Sequence, residues 1–483
     1  MKATRIIARL DVKGENVIKG VHLEGLRIVG KPYELAKKYT AAGADEIYYI
    51  DSVASLYGRN NLLEIVKETA KGCRVPLTVE GGLRTIADID AVLNSGADKI
   101  GINSAALKSP EFLRQAAQIF GSQCIVLSVA AKRNENGRWI AYSDNGRENS
   151  SRDVLEWVAL CNEMNIGEIL LTSIDAEGTQ AGFDLELYKA VCSLASVPVV
   201  ASGGAGTIEH VTACLKQTSV DAVALASVLH YDIFAIPSIK AALKEDGIDV
   251  RIPTTSNEVI GSHDTSCTAS IIDLNLGNLY SLQSAFQAIG CPSELIATPE
   301  DILRADRLVL PGVGAFGHGM DNLRSLGLLE AVLQYARTGR PLLGICLGAQ
   351  FLLDSSEEFG LSQGLGLLPG AVKRIQIPEA PRLKVPFIGW ARIYPAGDAG
   401  VEDGAGFSDE GGPLRDISRG EWMYFIHSYE MIPEKIHDIL AISYYGPHQV
   451  CAAVRRDNVF GLQFHPEKSS YAGLKILRNF IES

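Results

Sequence analysis

The chain has 483 residues, more than one ordinary hydrophobic core holds, and its 47% hydrophobic and 21% charged composition is that of a globular protein with two domains. A net charge of −12 argues against a general nucleic-acid binder, and the lack of an 18-residue apolar run or a signal-like start argues against a membrane span or a secretory leader. The nine cysteines are scattered, with no Cys-x-x-Cys pair and no zinc spacing, which fits a reducing cytoplasm and leaves neither a metal nor a cofactor to expect.

Short β-branched runs alternate with helical patterns through the first 250 residues. Strands are expected at 6–8, 46–50, 77–79, 99–102, 125–127, 168–171, 197–200 and 222–225. Eight such strands with helical intervals predict a (β/α)8 barrel over residues 1–252, with its chemistry at the C-terminal strand ends. An internal repeat supports the count. Gly81-Gly-Leu-Arg-Thr-Ile runs beside Gly203-Gly-Ala-Gly-Thr-Ile, 122 positions later and without a gap. Gly-Gly turns let backbone N–H groups close on a phosphate, so two related turns suit a substrate with a phosphate at each end. A single Gly-Gly would be read only as a tight turn.

After a terminal amphipathic helix near 239–244 comes a polar stretch without sustained period, read as a linker over 253–268. A second α/β domain is expected over 269–483, starting with a strand at 271–272. A strand at 307–310 leads into the glycine-rich Pro311-Gly-Val-Gly. The apolar run Arg340-Pro-Leu-Leu-Gly-Ile leads into Gly344-Ile-Cys-Leu-Gly-Ala-Gln350, a strand, a tight turn and a helix with Cys346 at the turn. A cysteine there stands at a helix N-terminus, whose dipole favours an anion. About 120 residues later Phe464-His-Pro-Glu467 offers His465 as general base and Glu467 to orient it. A buried structural cysteine is the bland alternative; the glycine spacing and the distal His-x-Glu weigh against it. Backbone N–H groups at Gly312, Val313 and Leu347 are candidate donors to an oxyanion.

Residues 269–483 resemble a class I glutamine amidotransferase domain, and within that class the glutaminase of imidazole glycerol phosphate synthase. The residues that carry the likeness are those at 344–350 and 464–467, with Ile272-Asp-Leu-Asn-Leu-Gly-Asn-Leu279, Leu310-Pro-Gly-Val-Gly-Ala-Phe316 and Tyr424-Phe-Ile-His-Ser-Tyr429. The resemblance implies hydrolysis of glutamine to glutamate and ammonia, with Gln350 and Ser428 lining the glutamine pocket.

The first 250 residues resemble the cyclase subunit of the same family, through Ile6-Ile-Ala-Arg-Leu-Asp-Val-Lys13, Val17-Ile-Lys-Gly20, Leu171-Thr-Ser-Ile-Asp175 and Ala201-Ser-Gly-Gly-Ala-Gly206. That likeness implies an acid-base carboxylate at Asp11 and substrate contacts at Lys19 and Asp51. It also implies one phosphate site at Gly82, Asn103 and Ser104 and another at Gly178, Gly204, Ala226 and Ser227. Arg5, Glu46, Lys99 and Glu168 match a charged ring through which ammonia enters the barrel. A stabilising salt-bridge ring is the plainer role for those four.

The chain departs from this family at several places. The repeat sets 125–132 against 6–13, so the partner of Asp11 falls at position 130, which is alanine and cannot move a proton. Glu80 stands where the family carries glycine, and should disfavour a dianion unless it points away. Arg9 stands where a small residue is usual, and Phe387 and Ala391 replace a His and an Asn. Residues 53–61 and 142–148, expected on loops at the barrel mouth, resemble paralogues that feed ammonia to amidination of a surface-polysaccharide sugar. Three functions are therefore weighed. One is a histidine-biosynthesis amidotransferase channelling ammonia to a phosphorylated acceptor at the mouth. The second is such a paralogue. The third is a non-catalytic barrel that docks and activates the glutaminase.

Overall fold

The computed structural model describes residues 2–52, 60–253, 267–377, 383–397, 406, 407 and 409–483. The linker expected at 253–268 and the stretch at 53–61 lie largely outside the described residues.

Eight parallel strands close into a barrel: β1 (Arg5–Lys13), β2 (Glu46–Asp51), β3 (Leu77–Glu80), β4 (Lys99–Ile102), β5 (Ile125–Arg133), β6 (Glu168–Ser173), β7 (Val199–Ser202) and β8 (Ala222–Leu225), with β8 paired back onto β1. The period of two along each strand divides the residues between two environments. In β1, Ile6, Ala8, Leu10 and Val12 pack outward with the helices, whereas Ile7 joins a small inner cluster with Tyr48, Val126, Leu170 and Val200. Each Gly-Gly turn feeds a capped helix. Thr85 makes a capping box with Asp88 for helix Ile86–Asn94, and Thr207 caps Ile208–Gln217 through His210 N–H.

Two hairpins extend the barrel. Asn16–Val21 and Glu24–Gly30 fold back on β1. Trp139–Ser143 and Glu148–Asp153 fold back on β5, so residues 142–148 form the tip of a hairpin rather than an open loop. The strand expected at 197–200 runs two residues later, at Val199–Ser202.

The second half is built on a nine-stranded mixed sheet. Its strands are β9 (Ala269–Ile272), β10 (Ser293–Ile296), β11 (Arg307–Gly312), β12 (Leu342–Cys346), β13 (Phe387–Pro395), β14 (Glu421–His427), β15 (Ile439–Tyr445), β16 (His448–Arg456) and β17 (Val459–Leu462), in the order β10-β9-β11-β12-β17-β16-β15-β13-β14. β12 and β17 are parallel neighbours, which sets Cys346 at the end of one beside the segment leading to His465 after the other.

One buried cluster spans both halves. Ile388, Trp390, Trp422, Tyr424 and Ile426 of the second sheet belong to the same buried cluster as the outer layer of the barrel. Ala3 N–H donates to Trp390 O at 2.8 Å, Trp390 Nε1 donates to Asp45 O at 3.0 Å, and the Arg251 guanidinium lies 3.9 Å over the Trp390 ring.

Candidate active sites

Cys346 ends β12 with φ 53° and ψ −107°, a conformation that a non-glycine residue holds only under constraint and that lifts its sulfur off the sheet. The neighbouring glycines make the turn possible. A methyl group at Gly348 would lie 1.8 Å from Leu310 O, and one at Gly344 would lie 2.6 Å from Gly348 O. His465 Nδ1 is 2.7 Å from Glu467 Oε1, the side chains of Cys346, His465 and Glu467 are buried, and His465 Nε2 makes no hydrogen bond among the described residues. Burial opposes a charge on His465, but Glu467 and then Cys346 outweigh it and raise the imidazole well above its ordinary range. Burial likewise opposes the charge on Glu467, and His465 holds that carboxyl below its ordinary range.

Gln350 Nε2 donates to Tyr429 O at 2.9 Å and to Gln463 Oε1 at 3.0 Å, and Gln463 Nε2 lies 3.8 Å from the Cys346 sulfur. Ser428 Oγ is 3.0 Å from Ser122 Oγ of the barrel, at the domain boundary. Gly312 pairs with Cys346 across β11 and β12, and Leu347 opens the helix after Cys346. Val313 lines a cavity of about 20 Å3 with Cys346, His465, Gln123 and Tyr424.

Arg5, Glu46, Lys99 and Glu168 meet inside the barrel at the face that carries the second half. Arg5 Nη1 is 2.8 Å from Glu46, Lys99 Nζ is 2.7 Å from Glu46 and 2.6 Å from Glu168, and Arg5 also pairs with Glu168. The side chains are buried and every cation bridges both carboxylates. Burial alone would raise Glu168, but Arg5 and then Lys99 bring it to about 2. Tyr424, whose hydroxyl has no hydrogen-bond partner among the described residues, lies near this ring and lines the same cavity as Cys346.

At the opposite end, Asp51, Gly82, Asn103 and Ser104 surround a cleft of about 600 Å3. The Asn103 side chain is committed to Ser128 O and Tyr142 O, and Ser104 Oγ contacts Asp144, so the hairpin tip closes one side of the cleft. Gly178, Gly204, Ala226 and Ser227 lie across the mouth. There a methyl at Gly204 would meet Gly182 O at 2.0 Å, and one at Gly178 would meet Gly20 O at 2.4 Å. Asp11 sits between them in an ionic cluster. Arg9 Nε donates to Asp11 at 2.9 Å and Nη1 to Ser202 Oγ at 2.9 Å, Lys19 Nζ lies 3.3 Å from Asp11, and Lys19 also pairs with Glu177. Burial would raise Asp11, but Arg9 and then Lys19 hold it below its ordinary range. Glu80 turns into the barrel, where Tyr48 OH donates to it at 3.1 Å.

Residues missed in the sequence also gather here. Gln463 bridges Gln350 and Cys346. Glu358 is buried and accepts from Phe316 N–H at 2.7 Å; burial outweighs that bond and raises the carboxyl to about 7. Gln463 adjoins the Phe464–Glu467 motif, a signal within reach; Glu358 lay in a charged stretch with no period to mark it.

A closed parallel barrel joined to a sheet with a cysteine elbow defines an enzyme of the glutamine amidotransferase class. Residues 5–235 match the family described as Histidine biosynthesis protein, and residues 270–483 match Glutamine amidotransferase class-I. The chain is 58% identical over 210 residues to an imidazole glycerol phosphate synthase subunit HisF of Legionella pneumophila, covering 44% of this chain and 99% of that protein. Proteins of the same name from Mycobacteroides abscessus and Myxococcus xanthus are 47% and 45% identical over 255 and 251 residues, each alignment covering 52% of this chain and 99% of the relative. The chain belongs to the imidazole glycerol phosphate synthase family, with a cyclase-type barrel and a class I glutaminase-type domain on one polypeptide. Among the described residues, no helix is long and apolar enough to cross a membrane and no group of three or more His, Cys, Asp or Glu could hold a metal ion.

Proposed function

We propose that the second half hydrolyses glutamine at Cys346 and that the ammonia passes through the Arg5–Glu46–Lys99–Glu168 ring to a phosphorylated acceptor at the barrel mouth. The Cys346 sulfur attacks the amide carbon while His465 takes its proton and returns it to the departing nitrogen. Glu467 orients His465 and stabilises its charge. Backbone N–H groups of Leu347 and the Gly312–Val313 segment receive the oxyanion, Gln350 and Ser428 border the glutamine, and water then releases glutamate. The observation that carries this reading is the 2.7 Å His465–Glu467 contact beside a strained Cys346. A cytoplasmic setting suits nine free cysteines. Replacement of Cys346 by alanine tests it: glutamate release should stop while ammonium-driven chemistry at the barrel continues.

One observation favours an acceptor other than the histidine-pathway ribonucleotide. Asp11 is committed to Arg9 and Lys19, and Ala130 has no proton to exchange, so the two-carboxylate chemistry of that pathway lacks both members in working form. Gly82, Asn103 and Ser104 on one side, and Gly178, Gly204, Ala226 and Ser227 on the other, remain the candidate phosphate positions for either acceptor, with Lys19 and Asp51 beside them.

A further inference from the structure

We propose that Glu80 is the acid of the barrel mouth, a carboxyl group kept protonated at neutral pH beside the Gly81–Gly82 turn, from which it gives its proton to the oxygen that leaves a phosphorylated carbonyl acceptor as ammonia adds. The inference rests on the reading that such an acceptor binds at this mouth.

A count of charges carries it. Asp11, Glu80 and Glu177 are buried carboxyl groups at the mouth, and Arg9 and Lys19 are the buried cations facing them. Both cations are spent on the other two acids: Lys19 pairs with Asp11 and Glu177, and Arg9 binds Asp11 and lies 3.7 Å from Glu177. Glu80 has hydroxyl partners, Tyr48 at 3.1 Å and Ser128 within hydrogen-bonding reach. A third carboxylate charge would be buried without a countercharge, and taking up a proton removes that cost. Burial raises the Glu80 carboxyl, with Asp11 adding to it, against Ser128, Arg9 and Tyr48. Farther out, Arg84, Lys108 and Arg147 share the cleft with Asp51, Asp144 and Glu148, three charges of each sign that leave the balance unchanged.

The orientation is built in. A methyl group at Gly101 would stand 2.4 Å from Tyr48 OH and 2.8 Å from Glu80 Cβ, so only glycine on β4 leaves room for this pair. Glu80 also borders the cleft of about 600 Å3 that Gly82, Asn103 and Ser104 line. A protonated acid there does not repel a dianion, which resolves the conflict between a glutamate and a phosphate turn. In the reaction, a C–N bond forms as ammonia adds to the carbonyl carbon and the C–O bond then breaks. One ammonia proton moves to the oxygen as the adduct becomes neutral, the hydroxyl departs as water with the Glu80 proton, and the iminium nitrogen left behind returns a proton to the Glu80 carboxylate.

The test uses the full chain, labelled with 13C at glutamate side-chain carboxyls, and inorganic sulfate, whose charge stays constant from mildly acidic to mildly alkaline pH. Besides the Glu358 signal, a further carboxyl signal should titrate above the ordinary glutamate range and be absent from Glu80→Gln. Sulfate affinity should fall on the order of tenfold as pH rises through that midpoint, and should not fall in Glu80→Gln. Absence of such a signal, or the same pH course in both proteins, overturns the proposal. Should Glu80→Gln not fold, Tyr48→Phe serves: losing a donor to the carboxylate should push the midpoint higher, and an unmoved signal overturns the proposal. A failure to transfer glutamine-derived ammonia, in a protein whose Glu80 titrates as expected, counts against the ammonia-transfer reading and not against this one.

Discussion

Lys468, in the turn that follows His465, places its Nζ 2.8 Å from Asp98 Oδ2 of the barrel. The same aspartate accepts from Asn278 Nδ2 at 2.9 Å and from Leu77 N–H at 2.8 Å. A barrel carboxylate thus holds the segment that carries the glutaminase base. In Asp98→Ala the buried Lys468 ammonium loses its partner, which should cost about 3–5 kcal/mol. Glutaminase rate and urea midpoint should fall together in that variant; a rate unchanged at full stability would separate the barrel from the Cys346 site.

Cys346→Ala removes the nucleophile from a turn in which no other side chain can replace it. Glutamate release should drop by at least about 10³-fold, with the protein still folded. Steady hydrolysis in this variant, followed by coupled glutamate oxidation, would remove Cys346 from the mechanism.

The His465–Glu467 pair makes a signed pH prediction. The raised His465 contributes stability that is complete below the ordinary histidine range and is lost as pH rises through its folded value. The lowered Glu467 contributes stability that is present above the ordinary carboxylate range and is lost as pH falls through its folded value. Glu467→Gln should flatten the alkaline decline in urea midpoint and cut the glutaminase rate by on the order of 10⁴, as loss of an orienting carboxylate does elsewhere. An alkaline decline that persists undiminished would assign it to another group.

Lys99→Ala leaves Arg5 paired with both Glu46 and Glu168, so the protein should still fold, with a lower urea midpoint because one cation now serves two buried carboxylates. Glutamate formed per acceptor aminated should change if the ring meters ammonia. An unchanged ratio and rate would leave the four residues a purely stabilising role.

Position 130 divides the two acceptors. The unaltered chain should make little imidazole product from the histidine-pathway ribonucleotide. Ala130→Asp alone should remain inert, because Arg9 still occupies Asp11. Product formation by Ala130→Asp, seen by absorbance and mass spectrometry, would favour the histidine acceptor.

Local pattern made most of the architecture legible: eight short β-branched runs between helical patterns, a repeated Gly-Gly turn and a glycine-flanked cysteine are all written in short windows. What escaped was set by distant partners. Arg9 and Asp11 share a face because they are two residues apart on β1, and that much is readable. Lys19 arrives on a hairpin and Glu177 from beyond β6, so the neutralisation of Asp11 has no local trace. The direction of Glu80 was open for the same reason, since Tyr48 and Gly101 decide it from neighbouring strands.

Trp390, Trp422 and Tyr424 lie buried with barrel side chains, and Ala3 donates a backbone hydrogen bond to Trp390. Neither half can be lifted away without exposing several large aromatic rings, so the surfaces themselves hold the assembly. A protease cut between residues 253 and 267 should therefore leave two fragments that travel together on a sizing column. The covalent join fixes a one-to-one stoichiometry, and adhesion comes from the packed rings.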